Sequence, residues 1–292
     1  MDRFIEFKKQ RELGEILSDT FAFLRLQFKP FVSTYFKIVG PYLVVLLIAM
    51  GFYLNSFSSL MDFNTESSNE FFSGISMLVS VLVFMIALIM VYATSQSTVL
   101  HYIKSYTNHN GIIDFNEIKK EVYGSLWSFI GLGIIVVISI MVGFIFCFLP
   151  GIYLAVPLSL SFSIMVFMKK GIGESYSYGF NLVKDEWWIT FATLFVVGII
   201  VGIAGYAFSI PAVIYQYAKM GIFSGEMDAA NMMDSFIDPI YMILNMIGTL
   251  AQVLLNLITI IAGAFIYFNL NEKKNFTGTF ERIQNLGKTP EN

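Results

Sequence analysis

The chain has few residues that could perform acid–base or metal chemistry, and its two histidines are the first candidates. His101 and His109 lie eight residues apart, Asp114 follows them, and Cys147 is the single cysteine. Zinc sites need Cys and His ligands clustered at short characteristic spacings, and this arrangement has none of those spacings. A catalytic site in this chain would have to be built from His101, His109 and Asp114. The sequence instead predicts a non-enzymatic protein with no cofactor and no metal ion.

Short catalytic motifs do not change that prediction. The sequence contains no nucleotide-binding glycine loop, no zinc-protease pair and no nucleophile elbow. Gly131 and Gly133 open an apolar stretch without a preceding strand, so we interpret them as packing residues. With one cysteine, an intrachain disulfide is excluded.

One set of polar residues does form a pattern, which we call the α8 seam; α8 denotes the helix predicted for the last apolar run of the chain, roughly 240–270. Steps of four, three, four and three residues place all of its members on one helix face. The members are Asn245, Thr249, Gln252, Asn256 and Thr259. An unpaired amide in hydrocarbon is costly, so the seam must face protein or water. It could supply hydrogen bonds between helices, or it could line a groove for a lipid headgroup, a peptide or a partner's transmembrane helix.

The elements that position these residues are long apolar runs. The chain is 56% hydrophobic and only 13% charged, which excludes a disordered chain and a nucleic-acid-binding protein. About 20 apolar residues of helix cross a bilayer. Six runs without Lys, Arg, Asp or Glu meet that length: roughly 38–55, 72–98, 128–149, 151–168, 190–218 and 240–270. The sequence therefore predicts an all-α, polytopic membrane protein with six transmembrane helices in a lipid bilayer.

Proline and glycine predict how some of these helices turn and pack. Pro150 and Gly151 separate runs three and four, so we predict a tight hairpin there. The close spacing of Gly198, Gly202 and Gly205 in run five predicts close helix packing, inside the bundle or in a homodimer. Two further prolines, Pro157 and Pro211, predict kinks or short breaks.

The charges around the runs predict the topology. Of the 18 Lys and Arg residues, 17 fall on the side that holds both termini, and Lys219 alone falls on the other. Positive charge is retained in the cytoplasm, so both termini are predicted to be cytoplasmic. The outer loops, 56–71 and 219–239, are acidic.

Three amphipathic segments, each followed by two apolar runs, predict a threefold repeat within one membrane domain, 1–292. The segments are Glu12–Phe28, about Phe115–Trp127, and Ile172–Trp188. The repeats would cover 12–98, 115–168 and 172–270, with a cytoplasmic tail at 271–292. The segments could be interfacial helices lying in the headgroup layer, or a cytoplasmic docking platform.

Short stretches of the chain resemble a bacterial family. They are Leu13–Phe21, Pro150–Leu154, Lys170-Gly171 with Glu174, Leu182-Val183 and Trp187-Trp188. These stretches are similar to the polytopic membrane domain found with glycerophosphodiester phosphodiesterases, and to the YciC-like inner-membrane proteins. The resemblance implies a multi-pass protein of the bacterial inner membrane with about six spans. It carries over no catalytic residue, because the phosphodiesterase of those enzymes is a separate soluble domain.

Together these features predict an integral scaffold or accessory subunit that binds another membrane complex. Protein-export or membrane-protein-insertion machinery is the partner class that we expect. We expect no binding to nucleic acid. The alternative is a permease or lipid carrier whose route follows the α8 seam. Coupled carriers usually place ionisable residues within the bilayer, and the six runs contain none.

Overall fold

The fold is described by a computed structural model of residues 4–61, 70–222, 225, 235–236 and 238–286. Within those residues the regular structure is entirely helical, which confirms the all-α class. The helices, in chain order, are α1 (Leu13–Met61), α2 (Glu70–Asn108), α3 (Phe115–Phe146), α4 (Phe148–Ser159), α5 (Ser161–Phe167), α6 (Ile172–Val183), α7 (Trp187–Lys219), α8 (Pro239–Asn275) and α9 (Thr277–Leu286).

Six of these elements are long and apolar enough to cross a bilayer, as the sequence predicts. Five are the single helices α1, α2, α3, α7 and α8, and the sixth is α4 together with α5. Large apolar side chains remain exposed along them: Ile48 is 68% exposed, Leu82 61% and Ile203 66%. Such surfaces are stable in lipid, so the chain is a multi-pass membrane protein.

The chain forms two compact units. Unit 1 comprises Met1–Ile38, Ala93–Ile199 and Leu257–Asn292. Its core is rich in buried aromatic rings. Phe7 stacks on Phe265 with ring centroids 4.2 Å apart, and Phe23 meets Tyr106 edge-on at 5.2 Å. These contacts join the segment before α1, the helices α1 and α2, and the last part of α8.

Unit 2 comprises Val39–Tyr92 and Ile200–Asn256. Tyr53 of α1 stacks on Phe84 of α2 with centroids 5.3 Å apart. A Cβ atom on Gly51 would lie 3.5 Å from the end of the Met246 side chain, which is ordinary contact. Helices α1, α2 and α8 therefore pack together in this unit.

The break between the third and fourth spans falls three residues before the predicted turn. Cys147 has extended backbone angles and separates α3 from α4, so Pro150 and Gly151 lie in the first turn of α4. A proline fits there because the first amides of a helix have no acceptor within it. Gly151 packs against α3, since a Cβ atom on it would lie 2.5 Å from the Phe144 ring.

Of the three predicted amphipathic segments, only the third forms a separate helix, α6. The first runs without interruption into the span of α1, and the second into that of α3. Beside α6, a break follows Pro157, where α4 ends and α5 begins. A Cβ atom on Gly179 would lie 2.6 Å from the Pro157 carbonyl oxygen, so glycine lets α6 approach the break.

Pro211 lies inside α7 without a break. Most of the predicted outer loops, 56–71 and 219–239, and the last part of the tail, 287–292, lie outside the described residues. The threefold repeat stays a prediction.

Candidate functional site

The α8 seam faces a cavity in unit 2, which we call the amide groove. The groove has a volume of about 250 Å³ and lies between α7 and α8. Three seam residues line it: Asn245, Thr249 and Gln252. Asn256 and Thr259 follow on α8 but do not line the groove. The structure thus brings together the first three of the five predicted residues.

Helix α7 supplies the opposite wall, with Ser209 and Gln216 as its polar members. Sequence analysis missed both residues. The signal for them was present, because Gly205, Ser209, Ala212 and Gln216 follow one another at steps of four, three and four. That is the same helical spacing as the α8 seam, so two polar faces meet.

Gly205 of α7 faces the Gln252 side chain of α8. A Cβ atom at this position would overlap the side-chain amide of Gln252, so a larger residue here requires that exposed amide to move. Gly205 thus lies beside α8, and the close helix packing that its spacing predicts stays a prediction.

The other two glycines of that set are placed differently. Among the described residues, no atom lies within 4 Å of a Cβ atom built on Gly198 or Gly202. Their part of α7 is open among the described residues, although Gly205, on the same face seven residues after Gly198, meets Gln252. The expectation that these two glycines pack inside the bundle is therefore not met.

Some polar side chains of the two walls have hydrogen-bond partners and others have none among the described residues. The Thr249 hydroxyl donates to the Asn245 carbonyl oxygen at 2.9 Å, a local bond within α8. The Ser209 hydroxyl donates in the same way to the Gly205 carbonyl at 3.2 Å. The side-chain amides of Gln252 and Asn256 have no hydrogen-bond partner in the described part of the chain. Gln252 is exposed, so its amide is open to whatever fills or covers the groove.

The groove extends from the end of α7 into the span. Tyr241 and Gln252 both line it and are separated by eleven residues of α8, which is ~16 Å along the helix axis. That length is about half of a hydrocarbon core of ~30 Å. A polar path therefore reaches from near the beginning of α8 to the middle of the span.

An ion pair joins α7 to α8 beyond the groove. The Asp238 carboxylate lies 3.1 Å from the Lys219 ammonium and accepts a hydrogen bond from the Tyr215 hydroxyl at 2.9 Å. It also accepts from the backbone N–H of Ile240 at 2.9 Å, which caps α8. The pair holds the two helix ends together.

The three residues of the enzyme hypothesis each have a separate structural role. His101 is buried and its Nδ1 lies 2.8 Å from the Ser97 carbonyl oxygen. His109 lies near Glu117, with Nδ1 and Oε2 3.7 Å apart. Asp114 caps α3 by accepting hydrogen bonds from the backbone N–H groups of Asn116 and Glu117. In the described ranges, no group of three or more His, Cys, Asp and Glu residues could hold a metal ion.

Comparison with known proteins adds no relative. No protein-family model, curated protein or solved structure matches the chain. The family resemblance of the short sequence stretches therefore stays a prediction, and the functional argument depends on the groove and its residues.

Proposed function

We propose that this chain is a non-enzymatic accessory subunit of a membrane complex, and that a transmembrane helix of the partner docks on the α8 seam. The observation that carries the proposal is the pair of amides on Gln252 and Asn256, which lack partners among the described residues. An amide without a partner in hydrocarbon costs about 4–8 kcal/mol. A polar side chain on a neighbouring helix would remove that cost, and each such hydrogen bond contributes about 0.6–2 kcal/mol.

The open face of α7 supports the same proposal. Gly198 and Gly202 lie one helical turn apart, and a Cβ atom on either would meet no described atom within 4 Å. Small residues at this spacing let two helices approach closely in lipid. A partner helix could therefore pack on α7 without displacing a side chain of this protein.

The test compares the seam with an apolar position on the same helix. Gln252→Leu with Asn256→Leu removes both amides, and Ile247→Leu is the control, since Ile247 is 51% exposed and apolar. Each protein is extracted into nanodiscs with its native lipid, and the mass of the assembly is measured. We expect a stoichiometric complex for wild type and for Ile247→Leu, and its loss in the double variant. A wild-type chain that is always extracted alone would contradict the proposal.

A permease or lipid carrier is the second candidate, and the depth of the groove favours it. A polar path from near the start of α8 to mid-span could admit a lipid headgroup. The same double variant would then abolish lipid transfer in reconstituted vesicles while its unfolding temperature stayed unchanged. Unchanged transfer, or loss of stability alone, would contradict the carrier.

We also propose that the protein lies in the bacterial inner membrane with both termini in the cytoplasm. The distribution of Lys and Arg supports this orientation, with 17 of 18 on the side of the termini. Contacts between the terminal segments agree with an even number of spans, since Arg282 lies 2.8 Å from Glu6. Labelling of a terminal tag from outside intact cells would contradict it. Protein-export or membrane-insertion machinery is the partner class to examine first.

A further inference from the structure

A second cavity, in unit 1, has a different chemistry from the amide groove. It has a volume of about 490 Å³ and lies where the chain segment before α1, the ends of α2 and α8, the α5–α6 loop and the start of α9 meet. Four lysines line it: Lys8, Lys104, Lys169 and Lys170. We propose that this basic cavity binds an anionic phosphate group, either the headgroup of an acidic phospholipid or a soluble phosphate. This proposal does not depend on the docking of a partner helix on the α8 seam, but it rests on the proposed cytoplasmic orientation of the termini.

The charge of the basic cavity is not balanced by its own carboxylates. Lys8 pairs with Glu281, the single acidic residue of the lining, and Lys104 pairs with Glu121 of α3. Lys169 and Lys170 have no carboxylate partner among the residues that the structure describes. Two positive charges are therefore left to attract an anion. Lys169 is exposed, and Lys170 is half-buried with its ammonium 5.0 Å from the centre of the Tyr178 ring, a contact that does not neutralise its charge.

The backbone at Lys169 is unusual for a lysine. Its φ is +52°, in the left-handed region that costs a residue with a Cβ atom about 1–2 kcal/mol. Glycine or asparagine would adopt this angle more readily, and Gly171 is only two residues away. Lys169 takes the left-handed position that commonly ends a helix, as Asn110 and Phe276 do after α2 and α8, and this turn sets its side chain at the basic cavity.

Polar groups and rings complete the lining. Asn271 donates from Nδ2 to the Thr277 hydroxyl at 3.0 Å, and both residues line the basic cavity. The first amides of α9 are not available to an anion, because Glu272 already accepts from the N–H groups of Gly278 and Thr279. The attraction for phosphate therefore comes from the lysines rather than from a helix end.

Aromatic rings of the lining suit the remainder of a phospholipid. Phe167 lies against Phe268 with ring centroids 4.6 Å apart and stacks on Tyr267 at 5.2 Å. All three rings belong to the cavity wall. Basic pockets between transmembrane helices at the cytoplasmic surface are typical sites for acidic headgroups.

The test uses the full chain, purified in neutral detergent and stripped of lipid. One arm adds phosphatidylglycerol, with phosphatidylcholine as the neutral comparison, and counts bound lipid by native mass spectrometry. The other arm titrates inorganic phosphate and follows the unfolding temperature. Lys169→Gln with Lys170→Gln removes the unpaired charge. Lys119→Gln with Lys120→Gln is the matched control, since both of those lysines are exposed on α3 and outside the basic cavity.

We expect wild type and the control to bind one phosphate-bearing probe, and the Lys169/Lys170 variant to bind it at least about tenfold more weakly. Binding in the phosphatidylglycerol arm alone identifies a lipid headgroup, and binding of inorganic phosphate identifies a soluble ligand. Absence of binding in both arms would overturn the proposal. An equal loss of affinity in the control would also overturn it, because it would indicate general charge attraction.

A single substitution separates the loss of charge from misfolding. Lys169→Gly relieves the left-handed backbone angle while removing one positive charge. We expect this variant to unfold at the same temperature as wild type or above it without a probe, and yet to bind the probe more weakly. Undiminished binding would overturn the role assigned to Lys169.

Discussion

The Arg11 guanidinium lies 2.8 Å from the Asp19 carboxylate, and the Arg11 side chain is completely buried. The same guanidinium donates to the Phe7 carbonyl oxygen at 2.7 Å and lies 4.8 Å from the centre of the Phe265 ring. Burial lowers the pKa of Arg11, and the hydrogen bond that Arg11 donates to Asp19 opposes that shift. The buried guanidinium of Arg11 therefore connects the segment before α1 to both α1 and α8.

This ion pair predicts a stability defect that surface pairs do not have. Asp19→Asn leaves the buried guanidinium without its carboxylate, and we expect a loss of about 1–3 kcal/mol because Asp19 is still partly exposed. Thermal unfolding in detergent measures it. Glu174→Gln is the control, since Glu174 is exposed and has no ion pair in the described ranges. Equal unfolding temperatures for Asp19→Asn and wild type would contradict the prediction.

The contact between Gly205 and Gln252 predicts a pair of compensating mutations. Gly205→Val forces the exposed end of the Gln252 side chain to move and should destabilise the protein by about 1 kcal/mol or less. Adding Gln252→Ala removes the overlapping atoms and should restore part of that loss. Gly202→Val serves as the control because no described atom lies within 4 Å of its Cβ position. Additive effects of the two mutations in unfolding experiments would contradict the direct contact.

The sequence predicted the six spans because their signal is a simple one: long runs without charge. It could not predict where the helices ahead of the spans end. An amphipathic segment and a span share the same helical period, so periodicity alone cannot distinguish a separate helix from a continuous one. Proline usually marks the end of a helix, but helix α1 continues through Pro30 and Pro41. These two prolines therefore do not indicate a helix boundary.

Tertiary contacts hid other features of the chain from sequence analysis. In the sequence, Arg11 is one of several basic residues ahead of a span. In the structure, its backbone N–H donates to the side-chain oxygen of Asn269, 258 residues away. The lysines of the basic cavity likewise come from separate parts of the chain. In the sequence, each of them indicates only which side of the membrane its segment lies on. The α8 seam could be found early, because its members repeat along one helix.

A single carboxylate holds the start of α9. Glu272 is buried and accepts hydrogen bonds from the Gly278 N–H at 2.7 Å, the Thr279 N–H at 2.9 Å and the Thr279 hydroxyl at 2.6 Å. Glu272→Ala leaves those donors without an acceptor, at a cost of about 1–3 kcal/mol. We expect protease cleavage near Gly278 to become faster while the spans stay folded. Glu281→Ala, which removes an exposed ion pair with Lys8, should change cleavage much less.

The ion pair between Asp238 and Lys219 predicts a pH dependence. Desolvation raises the pKa of Asp238, but hydrogen bonds from Tyr215, Lys219, Ile240 and Tyr241 outweigh it and leave the pKa below its usual value. A carboxylate with a lowered pKa in the folded state stabilises the protein above its unfolded pKa of about 4, and loses that effect as the pH falls.

Asp238→Asn tests this dependence directly. The variant should unfold at a lower temperature than wild type at pH 6, and the difference should shrink as the pH falls from about 4 toward the lowered pKa of Asp238. Thermal unfolding in detergent across this range provides the measurement. Asp185→Asn is the control, because Asp185 is exposed and has no ion pair among the described residues. If the difference for Asp238→Asn stayed constant with pH, its carboxylate would have no part in joining α7 to α8.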